Sequence, residues 1–161
     1  MTAAGVSPAM PTAAEQANRM ERYYRWHARI YDATRWSFLF GRKALLEHLP
    51  PGFAPERMLE IGCGTGHNLA LLARCFPQAE IEGIDVSEAM LVRAARRFPA
   101  GEQRIRLTLG SYGSAVPDAP RYDLILCSYC LSMINPGWEE LVAGIPADLR
   151  PGGIFAVVDF H

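Results

Sequence analysis

The sequence has few features that would assign a function directly, and each absence narrows the possibilities. No run of roughly 18 apolar residues occurs, so we expect no membrane-spanning helix. The formal net charge of the 161 residues is −1, which gives no reason to expect nucleic acid as a partner. Residues 1–16 lack a basic segment followed by an apolar one, and they predict the disordered tail of a cytoplasmic protein rather than a secretory signal.

Cysteine is scarce, with four residues: Cys63, Cys75, Cys127 and Cys130. The last two have the C-x-x-C spacing of some zinc and redox sites. They fall in the apolar run 124–131, which predicts a buried strand, and side chains three positions apart on a strand face opposite sides of the sheet. We therefore predict reduced core thiols and no metal site.

Apolar residues recur at two different periods along the chain. Residues 17–31 and 38–49 show helical periodicity, whereas short apolar runs alternate with helical segments from there on. The expected strands are 57–61, 80–86, 105–109, 122–131 and 154–160, and the expected helices between them are 67–76, 88–98 and 138–149. This alternation predicts an α/β fold, a Rossmann-like doubly wound parallel sheet covered on both faces. The chain then divides into the tail, an N-terminal helical lid at 17–56 and an α/β domain at 57–161.

A glycine-rich loop follows the first expected strand, with Gly62, Gly64 and Gly66 in the spacing G-x-G-x-G. Glycines between a strand and a helix let a ligand approach the backbone closely, where N–H groups at the helix start can meet polar atoms. The dinucleotide fingerprint is G-x-G-x-x-G, and its third glycine would fall at His67. The spacing therefore disfavours a nicotinamide-dependent oxidoreductase, which is the alternative enzyme class.

Two carboxylates at the ends of the first two expected strands indicate the charge of the ligand. Glu60 lies two residues before the loop, where it would repel a diphosphate but attract an ammonium group. Asp85 lies 23 residues after Gly62, where a carboxylate can accept hydrogen bonds from both ribose hydroxyls. S-adenosylmethionine carries an ammonium, a sulfonium and a single carboxylate. It is therefore the expected cofactor.

The sequence resembles the class I S-adenosylmethionine-dependent methyltransferases in four segments of the expected α/β domain. These segments are LEIGCGTG, GIDVS, YDLILCSYCLSM and LRPGGIFAVVDF. The resemblance implies that Glu60 and the backbone at Gly62, Cys63 and Gly64 hold the methionine part of the cofactor. Gly66 completes the cofactor-binding loop.

The same resemblance assigns the rest of the cofactor site. It implies that Asp85 binds the ribose and that Val86 flanks the adenine. Ser128 and Tyr129, at the end of the fourth expected strand, would line the pocket near the transferred methyl group. Many members of the family bind the adenine amino group through an Asp after the third strand. This sequence has Gly-Ser-Tyr there, so Ser111 or a backbone carbonyl would serve instead.

The segment before the α/β domain narrows the resemblance. Tyr31-Asp32 looks like a Tyr-Asp pair that folds over the cofactor in methyltransferases acting on quinones and lipid amines. The string from Thr34 to Arg42 and the later run 128–134 more closely resemble the N-methyltransferases of betaine-lipid synthesis. That resemblance implies a diacylglyceryl homoserine head group as the methyl acceptor. Methylation of a quinone or another small molecule is the alternative that these residues leave open.

Charge and aromatic content in this segment fit a lipid substrate. Between Arg19 and Lys43 lie seven basic residues, two acidic ones and seven of the 16 aromatic residues. A basic amphipathic helix followed by Trp and Phe suits the surface of an anionic bilayer. We therefore expect peripheral contact with the inner face of the membrane. The alternative is that the aromatic face packs on the domain while the arginines are solvated.

Three side chains are candidates for a role in the transfer itself: His27, Tyr31 and Tyr129. Methyl transfer depends mainly on the alignment of nucleophile, methyl and sulfur and on the exclusion of water. His27 shares the apolar face of the first helix with Tyr31 and could accept a proton from an amine. The rings of Tyr31 and Tyr129 could contact a cationic head group. Ordinary packing is the alternative role for all three.

The expected sheet ends with the strand 154–160, whereas class I methyltransferases ordinarily have two further strands. An apolar edge strand left exposed in this way pairs readily with another chain. We therefore expect a truncated gene product, a fragment, or a chain completed through this edge by a partner, which includes a homo-oligomer. A truncated module is the alternative to a working enzyme. Such a module would bind S-adenosylmethionine without turnover.

Overall fold

In the computed structural model, residues 45–113, 122–134 and 136–159 are described, and they form a parallel sheet flanked by helices. The strands are β1 (Arg57–Ile61), β2 (Glu80–Asp85), β3 (Ile105–Leu109), β4 (Tyr122–Ser128) and β5 (Leu149–Val158). The helices are α1 (His67–Cys75), α2 (Glu88–Ala95) and α3 (Trp138–Asp148). Every pair of neighbouring strands is parallel, and the strand order is β3-β2-β1-β4-β5. This confirms the Rossmann-like α/β fold expected from the sequence.

Two hydrophobic clusters, one on each face of the sheet, hold the fold together. Met58 and Leu124 face one way and pack with Leu72 of α1. Ile125 faces the other way and packs with Ile145 of α3. Full burial of each such side chain contributes about 1.5–3 kcal/mol. Because β1 and β4 are covered on both faces, a ligand can reach them only at their ends, and in sheets of this kind ligands bind at the carboxyl ends.

Strand β4 ends at Ser128, three residues earlier than expected. The next residue, Tyr129, has a φ of 54° and is the only non-glycine residue in the described ranges with a positive φ. Its N–H donates to the Val158 carbonyl at 2.7 Å, which fixes this turn against the end of β5. A short 3-10 helix, Leu131–Met133, follows in place of the rest of the strand.

Strand β5 begins at Leu149, earlier than expected, because a bulge accommodates the Pro-Gly-Gly sequence that was expected to precede the strand. Tyr122 pairs with Leu149 and Leu124 pairs with Ile154, with a register shift between them. β5 lies at an edge of the described sheet, and Val157 on it is 42% exposed. The homo-oligomer expected through this edge stays a prediction.

The expected tail and most of the expected lid, residues 1–44, lie outside the described residues. Residues 45–47 are helical. In the ranges that are described, no helix combines the length and the apolar character needed to cross a bilayer.

Candidate functional site

The glycine loop after β1 is held by hydrogen bonds within its own backbone and to β2. Gly62, Gly64 and Gly66 have φ angles of 68°, 54° and 75°, which L side chains rarely adopt. The N–H groups of Gly62 and Cys63 both donate to the Ile84 carbonyl, at 2.9 and 3.0 Å. The N–H of Gly66 donates to the Cys63 carbonyl at 3.0 Å. The loop therefore has a fixed backbone shape.

Asp85 lies at the end of β2 and contacts the loop directly. Its Oδ2 accepts the N–H of Gly64 at 2.7 Å, and its Oδ1 accepts the N–H of Ser87 at 2.9 Å. Ser87 is the N-cap residue of α2, but its side-chain oxygen accepts no capping hydrogen bond. Each carboxylate oxygen has more than one acceptor site, so Asp85 can still accept hydrogen bonds from ribose hydroxyls.

The internal hydrogen bonds decide which polar groups the loop can offer a ligand. The N–H groups of Gly62, Cys63, Gly64 and Gly66 are all donated within the protein. N–H donors were expected here from the sequence, but these four are already used. The carbonyls of Cys63 and Gly66 each accept one hydrogen bond within the protein, and because a carbonyl oxygen has two lone pairs, the loop carbonyls can still accept from a ligand. Carbonyl oxygens suit an ammonium group, whereas a diphosphate needs N–H donors. The geometry of the loop thus agrees with the charge argument made from Glu60.

Glu60 is buried at the carboxyl end of β1, with 2% of its surface exposed. Asn68 of α1, itself 6% exposed, donates its side-chain N–H to Oε1 of Glu60 at 2.7 Å. Burial of a carboxylate is costly unless it meets hydrogen-bond donors or a cation. A buried acid beside this glycine loop fits the ammonium of S-adenosylmethionine. Asn68 was not predicted as a site residue, although its place in the first turn of the helix after the loop was a usable signal.

Gly66 also has a packing role. A Cβ built on it would lie 3.0 Å from Cβ and 3.2 Å from Cα of Ala94, so the absence of a side chain lets the start of α1 approach α2. Arg97, two residues after the end of α2, makes further contacts here: it donates to the Thr65 carbonyl in the loop and contacts the His67 ring at the start of α1. The third glycine therefore fixes the helices that carry the loop, whether or not it touches a ligand.

Exposed apolar side chains lie where the resemblance placed the adenine. Val86, just after β2, is 59% exposed, and Leu109, at the end of neighbouring β3, is 56% exposed. Asp85 pairs with Leu109 in the sheet, so the two apolar groups flank the predicted ribose site. Ser111 follows on the same edge and is exposed. Leu109 was not predicted as a site residue, because its strand position alone resembles that of a core leucine.

The segment beside Ser111 is anchored to α3. The Tyr112 hydroxyl donates to a carboxylate oxygen of Asp148. Burial of the ring, and then this hydrogen bond, raise the pKa of Tyr112 well above its ordinary value of 10. The tyrosine therefore stays neutral at physiological pH and acts as a donor that holds this edge of the site.

Ser128 lies at the carboxyl end of β4, beside Asn68, and is 5% exposed. Both side chains line a small cavity whose other walls are apolar: Leu45, Leu46, Leu71, Leu72, Leu126 and Val158. The structure thus brings Ser128 and the Glu60–Asn68 pair to the same end of the sheet. Tyr129 follows Ser128 directly. His27 and Tyr31, the other two candidates for the transfer step, lie outside the described residues.

The predicted positions of Cys127 and Cys130, the C-x-x-C pair, were wrong. Cys130 is not on β4, because the strand ends at Ser128 and the left-handed turn at Tyr129 redirects the chain. Its thiol donates to the Ile61 carbonyl at 3.2 Å, and both thiols belong to one core cluster. A hydrogen bond with Cys130, followed by burial, raises the pKa of Cys127. The two thiols therefore lie together rather than on opposite faces. All four cysteines are free, and the described residues contain no group of three potential metal ligands.

Comparison with known proteins agrees with this geometry. The sequence model of a family described as a methyltransferase domain matches residues 59–155, from β1 into β5. The chain belongs to this methyltransferase domain family. A trans-aconitate 2-methyltransferase of Variovorax paradoxus (strain S110) is 37% identical over 134 residues, which cover 82% of this chain and 49% of that protein. The chain thus spans about half the length of this relative.

Solved methyltransferases have the same fold. The plantazolicin methyltransferase BpumL, in complex with a substrate analogue and S-adenosylhomocysteine, gives a TM-score of 0.73 at 23% identity over 90% of this chain and 56% of that one. An S-adenosylmethionine-dependent methyltransferase from Mesorhizobium loti gives 0.63 at 26% identity over 74% and 53%. These neighbours are consistent with S-adenosylmethionine as the cofactor. The relatives found are trans-aconitate methyltransferases rather than betaine-lipid N-methyltransferases, so the narrower resemblance is not supported.

Proposed function

We propose that this chain binds S-adenosylmethionine at the carboxyl ends of β1 and β2 and transfers its methyl group to a small acceptor. The observation that carries the proposal is the buried carboxylate of Glu60 beside a glycine loop whose N–H groups are used internally. Such a site favours a cationic amino-acid nucleoside over a diphosphate. Membership of the methyltransferase domain family supports the same conclusion.

Different residues of the site bind the charged, polar and apolar parts of the cofactor. Glu60 and the loop carbonyls accept hydrogen bonds from the ammonium, and Asp85 accepts them from the ribose. Val86 and Leu109 contact the faces of the adenine and remove them from water. S-adenosylmethionine, when bound, supplies a methyl carbon activated by a positively charged sulfur. The protein then has to hold the acceptor in line and exclude water.

The first candidate acceptor is a small organic acid. It rests on the 37% identity to a protein named for trans-aconitate, which is a tricarboxylate. The small cavity is lined by apolar side chains, Asn68 and Ser128, and no cation lies among its described lining residues. The cations that such an acceptor needs would come from the basic segment between Arg19 and Lys43.

The second candidate acceptor is a lipid amine head group. The apolar walls of the cavity, which include Leu45 and Leu46, favour an acceptor that carries an apolar chain. The basic and aromatic residues between Arg19 and Lys43 would then contact an anionic membrane surface. In that case Tyr31 and Tyr129 cradle the cationic head group, and His27 accepts the proton of the amine.

A transfer assay with radiolabelled S-adenosylmethionine separates these proposals. The 161-residue chain is incubated with trans-aconitate, with a total membrane lipid extract or with a quinone. A base-labile labelled ester indicates an acid acceptor, and a base-stable labelled lipid indicates an amine. Cofactor binding without transfer to any acceptor would indicate a non-catalytic module. Absence of both binding and transfer would contradict the proposed function.

A matched pair of variants tests the role of Tyr31 if transfer is seen. Tyr31→Phe keeps an aromatic ring and should keep turnover, whereas Tyr31→Ala should lose it. Equal activity of both variants would rule out an aromatic contact with the acceptor. Flotation with anionic liposomes tests membrane contact, because electrostatic binding should fall as salt is raised.

A further inference from the structure

We propose that Asn68 is a positioning residue that holds Glu60 ready for the ammonium group of the cofactor. The inference rests on the proposed function, because it assigns a task within the same site. Asn68 acts through Glu60 rather than on the reacting atoms. Its effect should therefore fall on ligands that carry the amino-acid part and spare those that lack it.

The geometry places Asn68 and Glu60 on two elements joined by the glycine loop. Glu60 is on β1, Asn68 is the second residue of α1, and the loop 62–66 lies between these two elements. Both side chains are buried, at 2% and 6% exposure, and the hydrogen bond that joins them is 2.7 Å long. A buried bond of this length leaves the carboxylate little rotational freedom.

The energetics explain why the donor matters. A hydrogen bond to a charged group contributes roughly 1.5–3 kcal/mol to stability. When a buried carboxylate loses a donor, the free energy of its desolvation is no longer offset by that bond. Without Asn68, Glu60 would lose a donor that fixes its orientation, and its attraction for an ammonium group should fall. The affinity for the nucleoside part, which depends on Asp85 and Val86, would not.

Asn68 also lies at a boundary between two parts of the site. Its side chain lines the cavity near Ser128 while it donates to Glu60. One amide thus connects the predicted ammonium site to the predicted acceptor cavity. A leucine in its place would keep the branched shape of the side chain, with a larger volume, and would remove the donor.

Calorimetry with two ligands tests the proposal. S-adenosylhomocysteine carries the ammonium, and 5′-methylthioadenosine has the same nucleoside and thioether without the amino-acid part. We expect Asn68→Leu to weaken S-adenosylhomocysteine binding at least tenfold and 5′-methylthioadenosine binding less than twofold. Ala73→Gly is the matched control on the same helix. It should cost about 1 kcal/mol of stability and leave the ratio of the two affinities unchanged.

A double-mutant cycle gives the second readout. If Asn68 acts through Glu60, Asn68→Leu should have no further effect on S-adenosylhomocysteine binding in a Glu60→Leu background. Equal weakening of both ligands, or an additive effect in the double variant, would overturn the proposal. If Asn68→Leu does not fold, Asn68→Ala gives the same comparison. Failure of the unmutated chain to bind S-adenosylhomocysteine would instead contradict the proposed function.

Discussion

Gly64 donates its backbone N–H to Oδ2 of Asp85 at 2.7 Å, which joins the glycine loop to the end of β2. The other carboxylate oxygen accepts the N–H of Ser87 at the start of α2. One side chain therefore fixes the loop, the strand end and the next helix. The loop and the predicted ribose site therefore form a single unit, and we expect a substitution in one of them to change the geometry of the other.

Asp85→Ala should reduce both stability and cofactor affinity. It removes two hydrogen bonds to a carboxylate, which should lower the free energy of unfolding by about 2 kcal/mol. It should also weaken S-adenosylmethionine binding at least tenfold. Urea unfolding and calorimetry measure the two effects. Asp85→Asn keeps one acceptor oxygen, so its stability and its affinity should lie between those of Asp85→Ala and of the unmutated chain. An Asp85→Ala variant with unchanged stability would show that the contact with Gly64 contributes nothing.

Gly66→Ala tests whether the third glycine is needed for helix packing. The left-handed φ of 75° costs an L residue about 1–2 kcal/mol, and the added Cβ would press on Ala94 at 3.0 Å. Gly52→Ala is a matched control, because Gly52 has a φ of 79° and nothing within 4 Å of the added Cβ. We expect the Gly66 variant to be the less stable by thermal unfolding. Equal losses would mean that only backbone strain, and not the contact with Ala94, is involved.

The sheet, its strand order and the place of the loop could be predicted because short apolar runs alternate with helical segments. The end of β4 could not, because a left-handed tyrosine has no local signal in the apolar run 124–131. The same turn brings Cys130 close to Cys127. The sequence had predicted that the two side chains lie on opposite faces of the sheet, because residues three apart on a strand alternate in direction. The role of Asn68 and the internal hydrogen bonds of the loop N–H groups were also missed. Both depend on contacts between separate elements, and the sequence does not show which elements lie next to each other.

Thiol reactivity should distinguish one cysteine from the other three. Cys75 is exposed, whereas Cys63, Cys127 and Cys130 are buried. Reactivity requires the thiolate, and the raised pKa of Cys127 makes its thiolate scarce near neutral pH. In the native chain we expect one thiol to react quickly with Ellman's reagent, and Cys75→Ser to abolish that phase. A fast phase that persists in this variant would show that at least one of the three buried thiols is accessible to the reagent.

Asp123 should make stability depend on acid pH. Partial burial opposes ionisation, but the N–H groups of Arg57 and Glu56 and the Arg150 guanidinium outweigh it, and the pKa of Asp123 lies below its ordinary value of 3.8. Because the folded pKa is the lower one, the stabilisation is present above the unfolded pKa and is lost as pH falls through the folded pKa.

Urea unfolding of the unmutated chain and of Asp123→Asn measures this effect. The difference in their free energies of unfolding should be largest at neutral pH and should shrink below about pH 4. A difference that stays constant over the acid range would mean that the charge of Asp123 does not contribute. Arg57→Gln is a useful control, because it changes a side chain and keeps the backbone N–H that Asp123 accepts.

Calorimetric titration of S-adenosylmethionine into the unmutated chain and into Glu60→Gln tests the central claim most directly. Glutamine keeps the shape of the side chain and removes the negative charge that the ammonium is proposed to meet. We expect binding to the unmutated chain and an affinity at least tenfold weaker for the variant, which corresponds to about 1.4 kcal/mol. Equal affinities, or a preference of the unmutated chain for reduced nicotinamide dinucleotide, would contradict the account.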